Sequence, residues 1–186
     1  TAKGLPERWS REAELGLVLL DTSKKGKAKE RALAGIAEKN GTKFPTVSSR
    51  ANVEIGNVMV EAKEYDKAQR FFEKIVKSGQ ADSSTMALAY SGLGDCHYFR
   101  SEDPNLEPSR KKEESKLSAL NHLRVITMYK DSVSLVPRSH YYAGLSLLSM
   151  GGPDSAKQAR QLASRLKKHY PNSTWWTQLA TAWNLR

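Results

Sequence analysis

The most reactive side chains of the sequence stand side by side at Asp95, Cys96 and His97. A thiol and an imidazole can act as nucleophile and base when they lie within hydrogen-bond reach of each other. Neighbouring residues of a helix point roughly 100° apart, so Cys96 and His97 cannot form such a pair within one helix. We therefore expect Cys96 to be a small core residue, and the sequence predicts no catalytic residue.

The other histidines, His122, His140 and His169, are scattered along the chain. No HxxxH or CxxC spacing puts two metal ligands on one helical face, so neither a metal nor a cofactor is predicted. His97 and His140 could meet across an interface between helices, although a packing role explains both more simply. Gly151-Gly152 is expected in a turn between helices, and no glycine-rich phosphate loop follows a strand.

Two basic stretches could contact an anionic partner. The first, Lys24 to Lys29, contains no aromatic residue. The second, Arg160 to Lys168, is followed closely by Tyr170, Trp175 and Trp176, whose rings could stack on bases. Solvated helix faces account for both stretches as well. The charge alone leaves nucleic acid, anionic lipid and an acidic protein open as partners.

Length and composition indicate a folded chain. Its 186 residues, with 39% hydrophobic and 27% charged residues and a net charge of +10, are enough to bury the core of one domain. The longest uncharged apolar run, Leu15 to Leu20, is far shorter than the roughly 20 residues that cross a bilayer. One cysteine cannot form an internal disulfide. The start at Thr1, without Met, suggests a processed or trimmed chain.

The reactive residues must be positioned by helices, because apolar and small residues recur at helical spacing. Between Ser49 and Asp82 we predict two amphipathic helices joined by a turn at Ala62–Glu64. Their stripes are formed by Asn52, Ile55, Gly56 and Met59 in the first helix and by Tyr65, Ala68, Phe72 and Ile75 in the second. We expect the helices to touch at Gly56 and Ala68, where small residues allow close approach.

This stretch resembles the tetratricopeptide repeat, in which Leu-Gly, an aromatic residue, Ala, Phe and Ala recur at fixed spacings within 34 residues. Ile55-Gly56, Glu64–Ala68 and Phe72 fit that pattern. A second repeat, with Gly94 and Ala119, would contain about 13 additional residues.

We expect that insertion near 101–112, where Pro104 and Pro108 favour a loop. A third repeat runs from Tyr141 to Pro171, with an expected turn at Met150–Asp154.

The resemblance implies an all-α fold, a right-handed α-solenoid of antiparallel helix hairpins with a C-terminal capping helix. We predict a single domain, 1–186, made of a degenerate hairpin at 1–45, repeats at 46–81, 82–131 and 132–172, and a capping helix at 173–186. The opening hairpin should pack through Trp9, Ala13, Leu17 and Leu20 on one helix and Ala28, Ala32, Leu33 and Ile36 on the next. Trp175 and Trp176 are expected in the core of the cap.

In this family the first helix of each repeat lines a concave groove, which implies contact residues for a partner. These are Arg50, Val53, Asn57, Ser91, Asp95, Tyr98, Arg138, Tyr141 and Leu145. Their mixture of aromatic, amide and charged side chains suits an extended peptide. The carboxylate clamp of the chaperone-binding members is not reproduced, because Val53 stands where a Lys is needed and Tyr142 stands four residues after Arg138.

The sequence thus predicts a non-catalytic interaction or scaffold module that binds a protein or peptide segment, and the positive charge is compatible with an acidic segment. Lys168–Ser173 and Val125–Tyr129 resemble hairpin ends of bacterial envelope members of the BamD and YbgF type. That resemblance implies a role in envelope assembly and a periplasmic or cell-envelope location. The alternative is an anion-binding module that holds nucleic acid or an acidic polymer through its basic ends.

Overall fold

The computed structural model describes residues 6–184, and the regular structure in this range consists of nine helices without a strand. The helices are α1 (Glu7–Leu20), α2 (Gly26–Asn40), α3 (Pro45–Glu61), α4 (Tyr65–Ser78), α5 (Ser83–Ser101), α6 (Pro108–Met128), α7 (Leu135–Met150), α8 (Pro153–His169) and α9 (Thr174–Ala182). Among them, no helix combines the length and the apolar character that a membrane span requires. The predicted all-α class is confirmed.

Local chemistry explains where several helices begin. Pro45, Pro108 and Pro153 each stand at the first position of a helix, where the fixed φ of proline suits the first turn and its missing N–H has no helical partner to lose. Ser173 caps α9, because its hydroxyl oxygen accepts a hydrogen bond from the Trp176 N–H at 3.1 Å.

The predicted turn at Ala62–Glu64 is the connection between α3 and α4. Lys63 has a φ of 60°. Its N–H donates to the Val60 carbonyl at 2.9 Å, and the Glu64 N–H donates to the Met59 carbonyl at 2.8 Å. These two bonds close the end of α3 as a Schellman motif. The two helices pack against each other across this short link, as a helical hairpin does.

The loop favoured by Pro104 and Pro108 is present within the insertion near 101–112. Helix α5 continues to Ser101 and α6 begins at Pro108, so the loop comprises 102–107 and residues 108–112 are helical. Pro108 starts a helix here instead of preventing one, because a proline is compatible with the first helical position. The Glu107 carboxylate adds a cap by accepting a hydrogen bond from the Arg110 N–H at 3.2 Å.

The turn between α7 and α8 is shorter than the predicted Met150–Asp154. Only Gly151 and Gly152 lie outside the helices, with φ of 74° and 87°. Two successive residues at positive φ reverse the chain at little cost only when both are glycine. Met150 therefore stays in the last turn of α7, and Asp154 lies in the first turn of α8.

The chain forms two compact units, one up to Gly92 and the other from Leu93, with the boundary inside α5. In the first unit the neighbouring helices α1, α2, α3 and α4 pack consecutively. Phe72 is fully buried beside Gly56 and Gly92, where an added Cβ would lie 2.6 Å and 2.3 Å from its ring. The Phe72 ring fits there because both positions are glycine and carry no Cβ. The predicted single-domain organisation stays a prediction.

The first helix packs through a different face from the one predicted. Trp9, Leu17 and Leu20 are 57%, 71% and 80% exposed, whereas Leu15 is buried. Helix α1 carries two apolar stripes, and periodicity alone does not tell which one meets α2. The prediction for α2 is confirmed at Leu33 and Ile36, which are buried, and is wrong at Ala28, which is exposed in the first turn of the helix.

In the second unit, α6 packs on α7 and α7 on α8, while α9 contacts both α7 and α8. One core cluster joins α6, α7 and α8 and consists of Ala119, Ala143, Leu147, Ala159 and Leu162. A second joins α8 to α9 through Ala163, Leu166 and Leu179, with Tyr141, Leu145, Tyr170 and three tryptophans packed around it. The aromatic residues of α7 and α9 are thereby held at one side of the unit.

We predict that Gly56→Ala destabilises the protein by about 1 to 3 kcal/mol, because the new methyl group must displace the buried Phe72 ring. Gly35→Ala is the matched control: Gly35 lies inside α2 with no atom near its missing Cβ. There the same change should stabilise by about 0.5 to 1 kcal/mol. Urea unfolding followed by circular dichroism measures both. Equal effects of the two substitutions would contradict the packing described for Phe72.

Candidate functional site

Five large side chains from three helices meet on the second unit, and we call this group the aromatic–arginine cluster. Its members are Tyr98 on α5, Arg138, Tyr141 and Tyr142 on α7, and Trp175 on α9. The ring of Tyr142 lies 4.9 Å from that of Tyr98 and 5.0 Å from that of Tyr141, both edge to face. The Trp175 ring lies 5.4 Å from Tyr141 and 5.7 Å from Tyr142. All five side chains are half-buried, so each keeps part of its surface exposed.

Arg138 holds the centre of the cluster. Its guanidinium carbon lies 4.8 Å from the ring centroid of Tyr142 and 5.7 Å from that of Trp175, within the range of cation–π attraction. One guanidinium nitrogen lies 2.8 Å from Oδ2 of Asp95, whose side chain is 8% exposed. Arg138 is thus anchored from α5 while its planar group rests against rings from α7 and α9.

Behind Arg138, His122 of α6 completes the buried part of the site. Its ring is fully buried and stacks on Tyr142 at 5.4 Å with an interplanar angle of 17°. Nε2 of His122 lies 3.6 Å from Oδ1 of Asp95, beyond hydrogen-bond distance. An added Cβ on Gly94 would lie 2.5 Å from Nε2 of His122, so the ring depends on a glycine in α5.

Burial governs the ionisation of these groups. It raises the pKa of Asp95 to about 6, although the charge and hydrogen bond of Arg138 oppose the shift. Burial lowers the pKa of His122 well below its ordinary value, and the nearby positive charge of Arg138 acts in the same direction. Burial also raises the pKa of the Tyr98 and Tyr142 hydroxyls. At neutral pH the site therefore holds an Asp95–Arg138 ion pair beside a neutral imidazole.

This chemistry suits binding better than bond-making. Tyrosine, tryptophan and arginine are the residues that dominate the energy of protein interfaces, because they combine large apolar area with hydrogen-bonding tips. Arg138 offers a flat cation, and the surrounding tyrosines and Trp175 offer ring edges and faces. An incoming segment could place an apolar or aromatic side chain against the rings and a carboxylate or carbonyl near the guanidinium.

The structure brings together four of the nine predicted groove residues: Asp95, Tyr98, Arg138 and Tyr141 lie in or directly behind the cluster. Leu145 follows on α7 and packs beside the second core cluster.

The other four lie in the first unit. Arg50 and Asn57 both contact the Glu54 carboxylate, at 2.9 Å and 3.0 Å. Val53 is fully buried and Ser91 is 2% exposed, so both side chains belong to the interior of that unit.

Sequence reasoning missed three residues of the site. Tyr142 stands four positions after Arg138, and this spacing on a helix predicts contact between a cation and a ring. No sequence pattern indicated His122, because its stacking on Tyr142 depends on the packing of α6 against α7. Trp175 was expected in the core of the cap. It packs against the core cluster that contains Leu179, and its ring also contacts the Arg138 guanidinium.

A cavity of about 220 Å³ lies in the first unit. Ser48, Asn52, Lys74 and Gln80 contribute to its lining, which contains none of the predicted groove residues. Its volume is below the roughly 300 to 1,000 Å³ of typical small-molecule sites. We therefore place no function there.

The reactive residues of the sequence do not converge. Cys96 is fully buried, and His97 contacts Glu114 instead, with Nδ1 2.8 Å from the carboxylate. Nδ1 of His140 donates to the Val136 carbonyl at 2.9 Å. Among the residues from 6 to 184, no group of three or more His, Cys, Asp or Glu side chains could hold a metal ion.

Comparisons of the chain with family models, curated proteins and solved structures give no match. The function is therefore inferred from the residues of the site itself.

We predict that Asp95 makes stability depend on pH between about 4 and 6. Its carboxyl binds a proton more tightly in the folded chain, with a pKa of about 6, than at its ordinary pKa of 3.8. Its contribution to the free energy of unfolding is therefore fully present below about pH 4 and is lost as the pH rises through 6, by on the order of 3 kcal/mol. Urea unfolding of the wild type and of Asp95→Asn across this range measures the difference.

Asp131→Asn, which changes an exposed carboxylate, is the control and should keep the pH dependence of the wild type. If Asp95→Asn also keeps it, then Asp95 does not titrate as a buried group.

Proposed function

We propose that the chain is a non-catalytic module that binds a segment of a partner protein through the aromatic–arginine cluster. The observation that carries the proposal is the convergence of three tyrosines, a tryptophan and an arginine, all half-buried, on one side of the second unit. Interiors rarely need an arginine, whereas interface hot spots are enriched in these three residue types.

Pre-organisation of the cluster supports this function. Arg138 is held by Asp95 at 2.8 Å and by the faces of two rings, so little side-chain freedom remains to be lost when a partner binds. Tyr98 and Tyr141 are held by edge contacts to Tyr142. A partner therefore meets a surface that is already ordered.

We further propose that the chain is a divergent member of the tetratricopeptide repeat superfamily, with the right-handed solenoid and antiparallel hairpins of that family. Consecutive packing of neighbouring helices is compatible with this assignment. The α3–α4 hairpin supports it most, because Gly56, Ala68 and Phe72 occupy the family positions and all three are buried. The envelope role stays a proposal, supported by the resemblance of Lys168–Ser173 and Val125–Tyr129 to envelope members.

A non-catalytic function is supported by the surroundings of the reactive groups. Cys96 is fully buried and suits a packing role. Burial keeps His122 neutral, and both of its ring nitrogens are buried inside the unit, away from solvent.

Selection from a random peptide library displayed on phage tests the proposal, with affinities of the selected peptides measured by fluorescence anisotropy. We expect Tyr141→Leu to weaken binding by about 10-fold or more, because leucine keeps the packing beside Leu166 but removes the exposed ring. Trp9→Ala removes an aromatic side chain that is 57% exposed on α1 and serves as the matched control.

The control should bind within about twofold of the wild type. Peptides that bind Tyr141→Leu as tightly as the wild type would place the interaction elsewhere. Failure to select any peptide would argue against a peptide-binding function.

A further inference from the structure

The outer face of α8 carries the strongest uncompensated charge that we find on one helix. Five cationic side chains lie on it, and all five are exposed: Lys157, Arg160, Arg165, Lys167 and Lys168. At 100° per residue they fall within an arc of roughly 160°, opposite the buried Ala159, Leu162, Ala163 and Leu166. From Lys157 to Lys168 the array extends about 16 Å along the helix. We call these five residues the α8 basic face.

Acidic residues do not compensate this charge. Asp154 in the first turn is the only carboxylate of α8. In the described part of the chain, 6–184, none of the five cations lies within 4.0 Å of a carboxylate. The other cation-rich helices differ, because α2 contains Glu30, which pairs with Lys27, and α6 contains Glu113, which pairs with Lys116.

The side chains between the cations are also polar. Gln161 and Ser164 are exposed within the same arc, and both can donate hydrogen bonds. At one edge, Nζ of Lys167 lies 5.5 Å from the ring centroid of Trp176, which limits its motion. The α8 basic face thus offers cations and hydrogen-bond donors and contains no exposed apolar side chain.

This composition distinguishes among anionic partners. A membrane surface is bound by helices that insert Trp, Phe or Leu below the headgroups, and the apolar side of α8 is buried in the core. A protein partner needs apolar or aromatic anchors, since exposed ion pairs contribute only about 0 to 1 kcal/mol each. Nucleic acid needs neither, because its closely spaced phosphates release condensed counterions when cations neutralise them.

We infer that the α8 basic face binds the phosphate backbone of nucleic acid without reading its sequence. The cations lie over the phosphates, and Gln161 and Ser164 donate hydrogen bonds to phosphate or sugar oxygens. The α8 basic face shares no residue with the aromatic–arginine cluster, so the inference does not depend on the proposed peptide binding.

Fluorescence anisotropy with a labelled DNA duplex of about 20 base pairs tests this inference. The association constant of the wild type should fall by about two to three orders of magnitude between 50 and 200 mM salt, as expected when up to five phosphates are neutralised. A second duplex of unrelated sequence should bind within about threefold, because backbone contacts carry no sequence information.

The decisive variant is Lys157→Gln with Lys168→Gln, which keeps helix-forming side chains and removes two charges from the face. We expect about 10-fold weaker binding at low salt and a plot of log K against log salt that is flatter by about 2. The matched control, Lys67→Gln with Lys77→Gln on α4, removes the same net charge from another exposed surface and should bind as the wild type does. Lys157→Arg with Lys168→Arg keeps the charge and should also bind normally.

Equal losses in the α8 and α4 variants would overturn the inference, because binding would then follow net charge instead of this face. Absence of duplex binding at low salt would overturn it as well. Tighter binding to phosphatidylglycerol vesicles or to a polyglutamate peptide than to the duplex, with the same dependence on Lys157 and Lys168, would assign the face to a membrane or to an acidic protein.

Discussion

The ion pair between Asp95 and Arg138 joins α5 to α7 in the second unit and fixes where the guanidinium lies. Removing two charges from water costs several kcal/mol per ion, and their attraction offsets that cost only when the geometry is good. We therefore assign the pair a positional role more than a stabilising one. Because Asp95 holds Arg138 in place, the planar guanidinium stays against the rings of Tyr142 and Trp175. Side chains of α5, α7 and α9 then form one continuous surface.

Close packing against glycines supports the same arrangement. In the second unit Gly94 leaves room for the His122 ring, which in turn stacks on Tyr142. In the first unit Gly56 and Gly92 leave room for Phe72. A larger side chain at any of these positions would separate helices that now touch. Rigid packing of this kind is what allows exposed rings to remain ordered before a partner binds.

Periodicity and turn chemistry were enough to predict the helices and the α3–α4 turn, because both depend on residues near one another in the sequence. They failed at α1, where Leu15 and Leu17 belong to two competing apolar stripes and only the packing against α2 decides between them.

The contacts of the candidate site likewise fall into local ones, which the sequence can predict, and long-range ones, which it cannot. Arg138 and Tyr142 are one helical turn apart, so their contact could be predicted from spacing. The contacts of Arg138 with Asp95 on α5 and with Trp175 on α9 join residues far apart in sequence, and only the tertiary fold brings them together.

Nuclear magnetic resonance of the tryptophan indole N–H groups tests the central claim most directly, since the chain contains only four tryptophans. On addition of a peptide selected against the wild type, we predict that the Trp175 signal shifts because its ring belongs to the aromatic–arginine cluster. The signal of Trp9, on α1, should stay in place. A shift of Trp9 without a shift of Trp175 would contradict the account, because the partner would then bind away from the cluster.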